Sequence, residues 1–516
     1  MKKLLLILLL LPLYTNAQTW VPVGNHDFSA SGASFTPIAL DANDTPYVAF
    51  GDANKYLRAT VMKYNGSSWV VVGSAGFSDS ETNYMSLAID RAGTPYVAFE
   101  EYHQSFSGDG PIAVMKYNGS SWEVVGHLGF SAGEADWTSI AIGKNDTPYV
   151  AYQDNTIGGV TVQKYNESDW VTVGIAGCSV YEANHPSLAI NNSGTPYVAY
   201  IDINGYANVI KYNGSTWVNV GDAGLSAGVT NCFSIAIDHN DTPYVVCADE
   251  VYGGKATVMK YQDTGWIAVG NRGFSAGGVN WTKIAIDGYG MPYITYVDIA
   301  EGDKATVMKF NGTSWVYTGK ASISPGETQC TSIAINSYGA PYVAYGDGVN
   351  NWKATVMKLS VPPITGVDSA CVGAKYALND TANGGMWSSN DPTVAVVDQN
   401  SGVITGFATG TAIVSYTISD ISTTTIITVN DCSIPNNIDE LFIFPNPNNG
   451  EFTVSLYTAT TSDAELIVTN TLGQKVYSCE TKTNTETELK LIVPPGIYFI
   501  TAVVGTDRRC AKLLVL

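Results

Sequence analysis

Short runs of alternating apolar and polar residues fill most of the chain between residues 18 and 360. Alternation with a period of two is typical of β-strands that bury one face. One stretch contains the four runs SIAID (Ser234–Asp238), PYVVC (Pro243–Cys247), ATVMKY (Ala256–Tyr261) and WIAVG (Trp266–Gly270). Residues with hairpin chemistry, such as Asn-Gly pairs, separate runs of this kind. The pattern predicts units of four short antiparallel strands.

The four-strand unit recurs about every 49 residues. Three markers occur once per unit, seven times each. One is the proline of an xPY tripeptide, at Pro46, Pro95, Pro148, Pro196, Pro243, Pro292 and Pro341. The second is a tryptophan, at Trp20, Trp69, Trp122, Trp170, Trp217, Trp266 and Trp315. The third is a lysine in an MKY-like run, at Lys63, Lys116, Lys164, Lys211, Lys260, Lys309 and Lys358.

Four-stranded units of this length are the blades of β-propellers. The sequence therefore predicts an all-β chain with a seven-bladed β-propeller over residues 18–360, an open solenoid of β-units being the alternative. The array begins with a tryptophan run (Trp20–Gly24) and ends with a lysine run (Ala354–Leu359). If the tryptophan strand is outermost, the N-terminal strand completes blade seven and closes the ring, which leaves no open edge.

Residues 1–17 have the pattern of a secretory signal peptide, with Lys2 and Lys3 before the apolar run Leu4–Leu13 and a small-residue cleavage site ending at Ala17. No later run reaches the ~18 apolar residues of a transmembrane helix. The net charge of −20 disfavours nucleic acid and anionic membranes as partners, because it repels phosphate. We expect an exported monomer without a transmembrane segment.

The repeat stops after Pro363, and residues 364–431 have a different character. They contain Trp387-Ser388-Ser389-Asn390, Val394–Asp398, Ser401–Gly406 and Gly410–Ala412. This order of motifs resembles the bacterial immunoglobulin-like domains of group 2. The resemblance implies a small β-sandwich that serves as a spacer or, in some cases, as an adhesive module.

Residues 440–516 carry a second set of motifs. These are Phe444-Pro445-Asn446-Pro447 with Gly450, then Leu472-Gly473-Gln474-Lys475-Val476, then Gly496-Ile497-Tyr498, and finally Lys512. The set resembles the type A C-terminal sorting domain of the type IX secretion system. The resemblance implies another small β-sandwich, recognition by the type IX secretion machinery, and export to the medium or the outer cell surface.

Variable residues collect where each first strand begins. The entry position holds Phe35, Tyr84, Trp137, His185, Cys232, Trp281 and Cys330, and the preceding position is always polar. Aromatic faces beside amides and carboxylates suit sugars, whose C–H faces stack and whose hydroxyls take hydrogen bonds. We predict a ligand-binding set of Asn83, Tyr84, Asp136, Trp137, Asn184, His185, Asn280 and Trp281, with the glutamates Glu81, Glu134 and Glu182.

An acidic residue follows the second strand of each unit, and it has two possible roles. Asp52, Asp154, Asp202, Asp298 and Asp347 belong to this series. As oxygen ligands they make Ca²⁺ a candidate cofactor, and no other cofactor is indicated. As residues repeated in every unit they fit a structural role better, in which each carboxylate accepts backbone N–H groups of the next turn.

The sequence favours a binding protein over an enzyme. The arginines and histidines of the repeats fall at unrelated positions, so no arginine cluster, metal triad or Ser-His-Asp set can be assembled, and no catalytic residue stands out. The preferred function is a secreted or surface adhesion protein that binds a glycan or another surface macromolecule. The alternatives are a polysaccharide hydrolase or lyase that uses carboxylates of the same face, and a structural surface protein without a small ligand.

Cysteines add one specific prediction. In five units the entry residue and the last residue of the second strand, 15 positions apart, are aromatic or His, but in the fifth unit both are cysteine. We therefore predict a Cys232–Cys247 disulfide. Cys330 has no such partner and is expected to be a buried free thiol, whereas Cys371 with Cys432 and Cys479 with Cys510 are weaker candidate pairs.

Overall fold

The computed structural model describes residues 18–102, 110–179, 183–263, 265–380, 385–418, 421–431, 440–458 and 460–516. The predicted signal peptide and Glu182 lie outside these residues. The fold is all-β, as predicted, and the helices among the described residues are short 3-10 turns at Ala53–Lys55, Lys144–Asp146, Glu250–Tyr252, Ile299–Glu301 and Gly348–Asn350. None of these is long or apolar enough to cross a membrane.

Seven antiparallel sheets form from the described part of residues 19–360, and we number them 1 to 7 along the chain. Their first strands are Ala33–Ser34 with Ile38–Leu40, Glu81–Ile89, Ala135–Ile142, Ala183–Ile190, Thr230–Ile237, Val279–Ile286 and Thr328–Ile335. Their second strands are Pro46–Asp52, Pro95–Tyr102, Pro148–Asp154, Pro196–Asp202, Pro243–Asp249, Pro292–Asp298 and Pro341–Asp347. The proline thus begins each second strand, where it gives up no ladder hydrogen bond.

The third and fourth strands complete each sheet. The third strands are Arg58–Tyr64, Ile112–Tyr117, Gly159–Tyr165, Ala207–Tyr212, Lys255–Gln262, Lys304–Phe310 and Lys353–Ser360. The fourth strands of sheets 1 to 6 are Trp69–Val71, Trp122–Val124, Trp170–Thr172, Trp217–Asn219, Gly265–Ala268 and Trp315–Ser322. Sheet 7 takes Thr19–Pro22 as its fourth strand, which pairs antiparallel with the third strand from Thr19 opposite Ser360 to Pro22 opposite Met357.

Neighbouring sheets pack face to face through apolar side chains and the marker tryptophans. The Trp69 indole Nε1 donates to the Val23 carbonyl at 2.7 Å, and Trp170 donates in the same way to Val125 at 2.8 Å. Trp69 also stacks on Phe28, with ring centroids 4.0 Å apart. These contacts explain why the tryptophan recurs, since each of these indoles connects its own sheet to the residues that follow the fourth strand of the preceding sheet.

The first strands of consecutive sheets contact one another, and the first strand of sheet 7 also contacts that of sheet 1. A shared core of Val48 and Phe50 from sheet 1 with Tyr342 and Ala344 from sheet 7 accompanies this contact. The arrangement is propeller-like. A closed ring of seven blades remains our prediction.

Residues 369–430 form two smaller sheets. One contains Ser369–Cys371, Ile421–Asn430, Gly410–Ile418 and Met386–Ser389 in this order, and the other contains Lys375–Ala377, Val403–Gly406 and Ala395–Val397. The two-sheet arrangement is what a small sandwich requires. Assignment of this region to the group 2 immunoglobulin-like domains stays a prediction.

The C-terminal region, described for 440–458 and 460–516, also forms two sheets. One has the order Glu440–Phe444, Glu451–Tyr457 and Glu486–Lys490, and the other has the order Lys475–Lys482, Asp463–Asn470, Gly496–Val504 and Asp507–Val515. Their buried faces share one apolar core that includes Phe452, Leu466 and Ile500. By backbone contacts, residues 428–516 belong to a different compact unit from the seven sheets.

The predicted Cys232–Cys247 disulfide is not formed, because Cys247 is a fully buried free thiol. The reason is a β-bulge between Thr230 and Phe233, which places Phe233 opposite Cys247 in the register. Burial raises the pKa of Cys247 to about 12. A bulge of this kind cannot be read from a constant spacing of 15 residues.

The other cysteine expectations have mixed outcomes. Cys330 is free, as predicted. Cys371 is disulfide-bonded, and its predicted partner Cys432 lies outside the described residues. Cys479 and Cys510 are both free, which corrects their candidate pairing. They lie on the two edge strands of a four-stranded sheet, a separation of about 14 Å at ~4.8 Å per strand, beyond the reach of a disulfide.

Candidate functional site

A β-bulge at the start of the first strand turns one side chain inward in six of the seven sheets. The bulge residues have φ angles between 45° and 54° and are Phe35, Tyr84, Trp137, His185, Trp281 and Cys330. Positive φ is unfavourable for bulky residues, at a cost of about 1–3 kcal/mol each. Register shifts beside Tyr84, Trp137, His185, Trp281 and Cys330 mark the same bulge. The bulge residues with positive φ are therefore the entry positions, which vary between the repeats.

The rings of these residues form a contiguous cluster. Trp137 lies at its centre, with ring-centroid distances of 3.8 Å to His185, 4.3 Å to Tyr84 and 6.5 Å to Trp281. Phe35 extends the cluster, 5.7 Å from Tyr84. We call Phe35, Tyr84, Trp137, His185 and Trp281 the aromatic cluster. The indole of Trp281 keeps 37% of its residue surface exposed.

The aromatic cluster lines a cavity of about 460 Å³. Asn280, Lys283 and Cys330 also line it, together with small and apolar residues such as Thr138 and Pro186. A concave, largely apolar wall with few polar groups is typical of sites for small organic ligands. No aspartate or glutamate is among the described lining residues.

His185 is neutral at physiological pH. Burial and the nearby charge of Lys283 lower the pKa of its imidazole to about 4. Its Nδ1 lies 3.1 Å from Oδ1 of Asn184, which accepts a hydrogen bond from the tautomer that carries its hydrogen on Nδ1. Asn184 therefore positions the imidazole rather than lining the cavity itself.

The remaining predicted ligand residues lie elsewhere. Asn83 and Glu81 are half-buried in the first strand of sheet 2 and do not line the cavity. Asp136 accepts a hydrogen bond from the Asn155 side chain at 2.9 Å, and Glu134 is exposed. The predicted grouping of carboxylates with aromatic rings is therefore wrong for the described acids, none of which lines the cavity.

The acids after the second strands are structural, which corrects the candidate calcium site. Asp52, Asp298 and Asp347 cap 3-10 turns by accepting the N–H of Asn54, Ala300 and Val349 at 3.0 Å. Asp154 and Asp202 accept turn amides in the same way, and among the described residues no three His, Cys, Asp or Glu groups could hold a metal ion. Burial raises the pKa of Asp298 and Asp347.

Sequence reasoning missed Lys283, which lines the cavity. In the first strand of sheet 6, Lys283 pairs with Thr295 of the second strand. The equivalent position is serine in sheets 2 to 5 and in sheet 7. The available signal was that a charged residue stands where five of the seven sheets have serine and sheet 1 has Pro37.

The predicted motif residues of the C-terminal region have structural roles, and Asn446 contacts the last strand. The Asn446 side chain donates to the Lys512 carbonyl at 2.7 Å and accepts the N–H of Leu514 at 2.8 Å. Tyr498 donates its hydroxyl to the Pro494 carbonyl at 2.8 Å. Pro445 and Pro447 both follow cis peptide bonds, and Gly450 and Gly473 have φ of 97° and 78° in turns, while Gly496 begins a strand.

Residues 442–516 match the family model described as "Secretion system C-terminal sorting domain". The C-terminal region is a sorting domain. The sorting domain indicates export by type IX secretion to the cell surface or the extracellular space. A comparison with curated protein sequences found no match.

Solved structures similar to this chain include enzymes and a lectin. One is a PL25 ulvan lyase bound to -[GlcA(1-4)Rha3S]-, 12% identical, covering 66% of this chain and 95% of its own, with a TM-score of 0.43. Another is the Penicillium chrysogenum α-L-arabinanase complexed with arabinobiose, 11% identical, covering 66% and 97%, with a TM-score of 0.39. A third is the fucose-specific lectin of Aleuria aurantia, 13% identical, covering 56% and 98%, with a TM-score of 0.39.

Proposed function

We propose that this protein is an exported glycan-binding protein, whose seven sheets form a closed propeller and whose aromatic cluster binds a sugar. The observation that carries the proposal is the contiguous set of rings around Trp137 on the wall of one cavity. Apolar sugar faces stack on such rings, and the Asn280 amide supplies both donor and acceptor groups for hydroxyls.

The strained backbone supports a ligand-binding role over a purely structural one. Tyr84, Trp137 and Trp281 adopt positive φ, although glycine would relieve the strain at these positions. Strained residues gather at functional sites because their side chains must point in a required direction. The exposed part of Trp281 offers a ring face to a ligand, which burial in a core would not.

A hydrolase that uses two carboxylates gains no support from this cavity. Glycoside hydrolysis needs two carboxyl groups at a defined separation beside the substrate. The described lining residues of the cavity include none. We therefore favour binding without cleavage.

The test is binding of the full chain to a glycan array, followed by titration of the strongest hit. Trp137→Ala and Trp281→Ala should each weaken that binding by about 2 kcal/mol, roughly thirty-fold, as for a central aromatic anchor. Tyr289→Ala is the matched control, because Tyr289 is 72% exposed in a turn at the other end of the first strand of sheet 6.

Unchanged affinity in both tryptophan variants would place the sugar site elsewhere. Absence of any hit on the array would favour a structural surface protein. Release of reducing ends from the bound polysaccharide would support the hydrolase instead.

A further inference from the structure

A serine series joins the first strands of neighbouring sheets. The Oγ of Ser86 accepts the N–H of Ile140 at 3.0 Å, and the Oγ of Ser139 accepts the N–H of Leu188 at 3.0 Å. Ser187 and Ser332 accept in the same way from the following first strands, at 3.2 Å each. Each of these four serines therefore forms a hydrogen bond between neighbouring sheets.

Lys283 takes the place of this serine in sheet 6, and Pro37 takes it in sheet 1. A lysine ammonium has three donors and no acceptor, so it cannot take over the hydrogen bond that the serine accepts from a backbone N–H. The junction with sheet 7 keeps its other contact, in which the Thr331 hydroxyl donates to the Trp281 carbonyl at 2.8 Å. Lys283 thus lacks a structural hydrogen bond that four of its equivalents make, and departures of this kind from a repeated pattern are common at functional positions.

Lys283 gives the cavity its charge. Its side chain is exposed and belongs to the lining, next in the alternation after Trp281. No described carboxylate lines the cavity, and the His185 imidazole is uncharged at neutral pH because burial and Lys283 lower its pKa to about 4. The cavity therefore has a positive site beside aromatic rings, within a protein of net charge −20.

We propose that the cavity selects an acidic saccharide, with Lys283 binding one carboxylate or sulfate group while Trp137 and Trp281 contact the sugar rings. This inference rests on the proposed glycan-binding function. The net negative charge repels long polyanions, so the favoured ligand is a short acidic saccharide or a chain end with few charges.

The experiment is calorimetric titration of the full chain with three tetrasaccharides. Oligogalacturonate carries carboxylates, a κ-carrageenan tetrasaccharide carries sulfates, and β-1,4-galactotetraose is neutral. We compare wild type with Lys283→Ser, which restores the residue of the other sheets, and with Lys283→Arg, which keeps the charge. Lys320→Ser is the matched control, because Lys320 is an exposed cation in the fourth strand of sheet 6, outside the cavity.

Wild type should bind one or both acidic tetrasaccharides more tightly than the neutral one. Lys283→Ser should weaken that acidic binding by about 10- to 100-fold, the value of a charge-assisted hydrogen bond, and leave neutral binding unchanged. Lys283→Arg and Lys320→Ser should retain most of it. The carboxylate and sulfate arms identify which group is bound.

Two results overturn the inference in different ways. If neutral sugar binds wild type as well as the acidic ones, or if Lys283→Ser loses no acidic binding, the anion preference is wrong while glycan binding stands. If none of the three binds and the array is also empty, the proposed function fails together with the inference.

Discussion

Removal of the Trp20 side chain tests whether the N-terminal strand is part of the fold. Trp20 is only 8% exposed, and its indole Nε1 donates to the Thr318 carbonyl of sheet 6 at 2.6 Å. A buried tryptophan removes about 200 Å² from water, worth about 5 kcal/mol at ~25 cal/mol per Å² as an upper bound. Trp20→Ala should therefore cost about 3–5 kcal/mol of unfolding free energy, the range measured for large aromatic truncations.

Urea unfolding followed by tryptophan fluorescence measures this cost. Ten of the eleven tryptophans precede residue 360, so the signal reports the seven sheets. Trp170→Ala is the matched control, because Trp170 is 7% exposed and makes the equivalent hydrogen bond to Val125 within the array. Equal losses in the two variants mean that Thr19–Pro22 is an integral strand. A loss below about 1 kcal/mol for Trp20→Ala beside a large loss for Trp170→Ala would refute ring closure by the N-terminal strand.

Two further predictions concern a pH dependence and the sorting domain. Because the folded-state pKa of His185 is lowered to about 4 from an ordinary value near 6.5, the unfolded chain binds more protons between these values, and stability should fall as pH falls from about 6.5 to 4. In His185→Gln the fall in urea midpoint over this window should be smaller than in wild type, and an identical pH profile would contradict the assigned pKa. Gly450 has φ of 97°, and a Cβ there would meet the Leu491 carbonyl oxygen at 2.6 Å, so Gly450→Ala should destabilise the sorting domain by about 1–3 kcal/mol. Calorimetry should show a lower transition temperature for that domain alone, whereas an unchanged transition would mean that the turn tolerates a side chain.

The repeat made most of the fold predictable. Pro243 begins a strand, the runs around Ser234, Ala256 and Trp266 are strands, and Trp20 lies in a strand beside the third strand of sheet 7. These features follow from local alternation and turn residues, which act over a few positions. The motif around Pro445 identified the sorting domain for the same reason, since its residues form one turn against the last strand.

The site was predictable only in part. The entry positions of Tyr84, Trp137 and Trp281 were found because they vary between repeats, but their inward direction depends on a bulge that strand alternation hides. A bulge of the same kind explains why the expected Cys232–Cys247 disulfide is not formed. The repeated acids turned out to cap turns, and Lys283 was overlooked because its replacement of a serine is visible only after the strands are placed in register.

Binding of a sugar to the aromatic cluster is the central claim, and a crystal structure of the full chain with the strongest array hit tests it most directly. We predict electron density for a sugar ring in the cavity, in van der Waals contact with Trp137 or Trp281 and within hydrogen-bond distance of Asn280 or Lys283. Density for the sugar on any other surface, with the cavity free of it, would contradict the account.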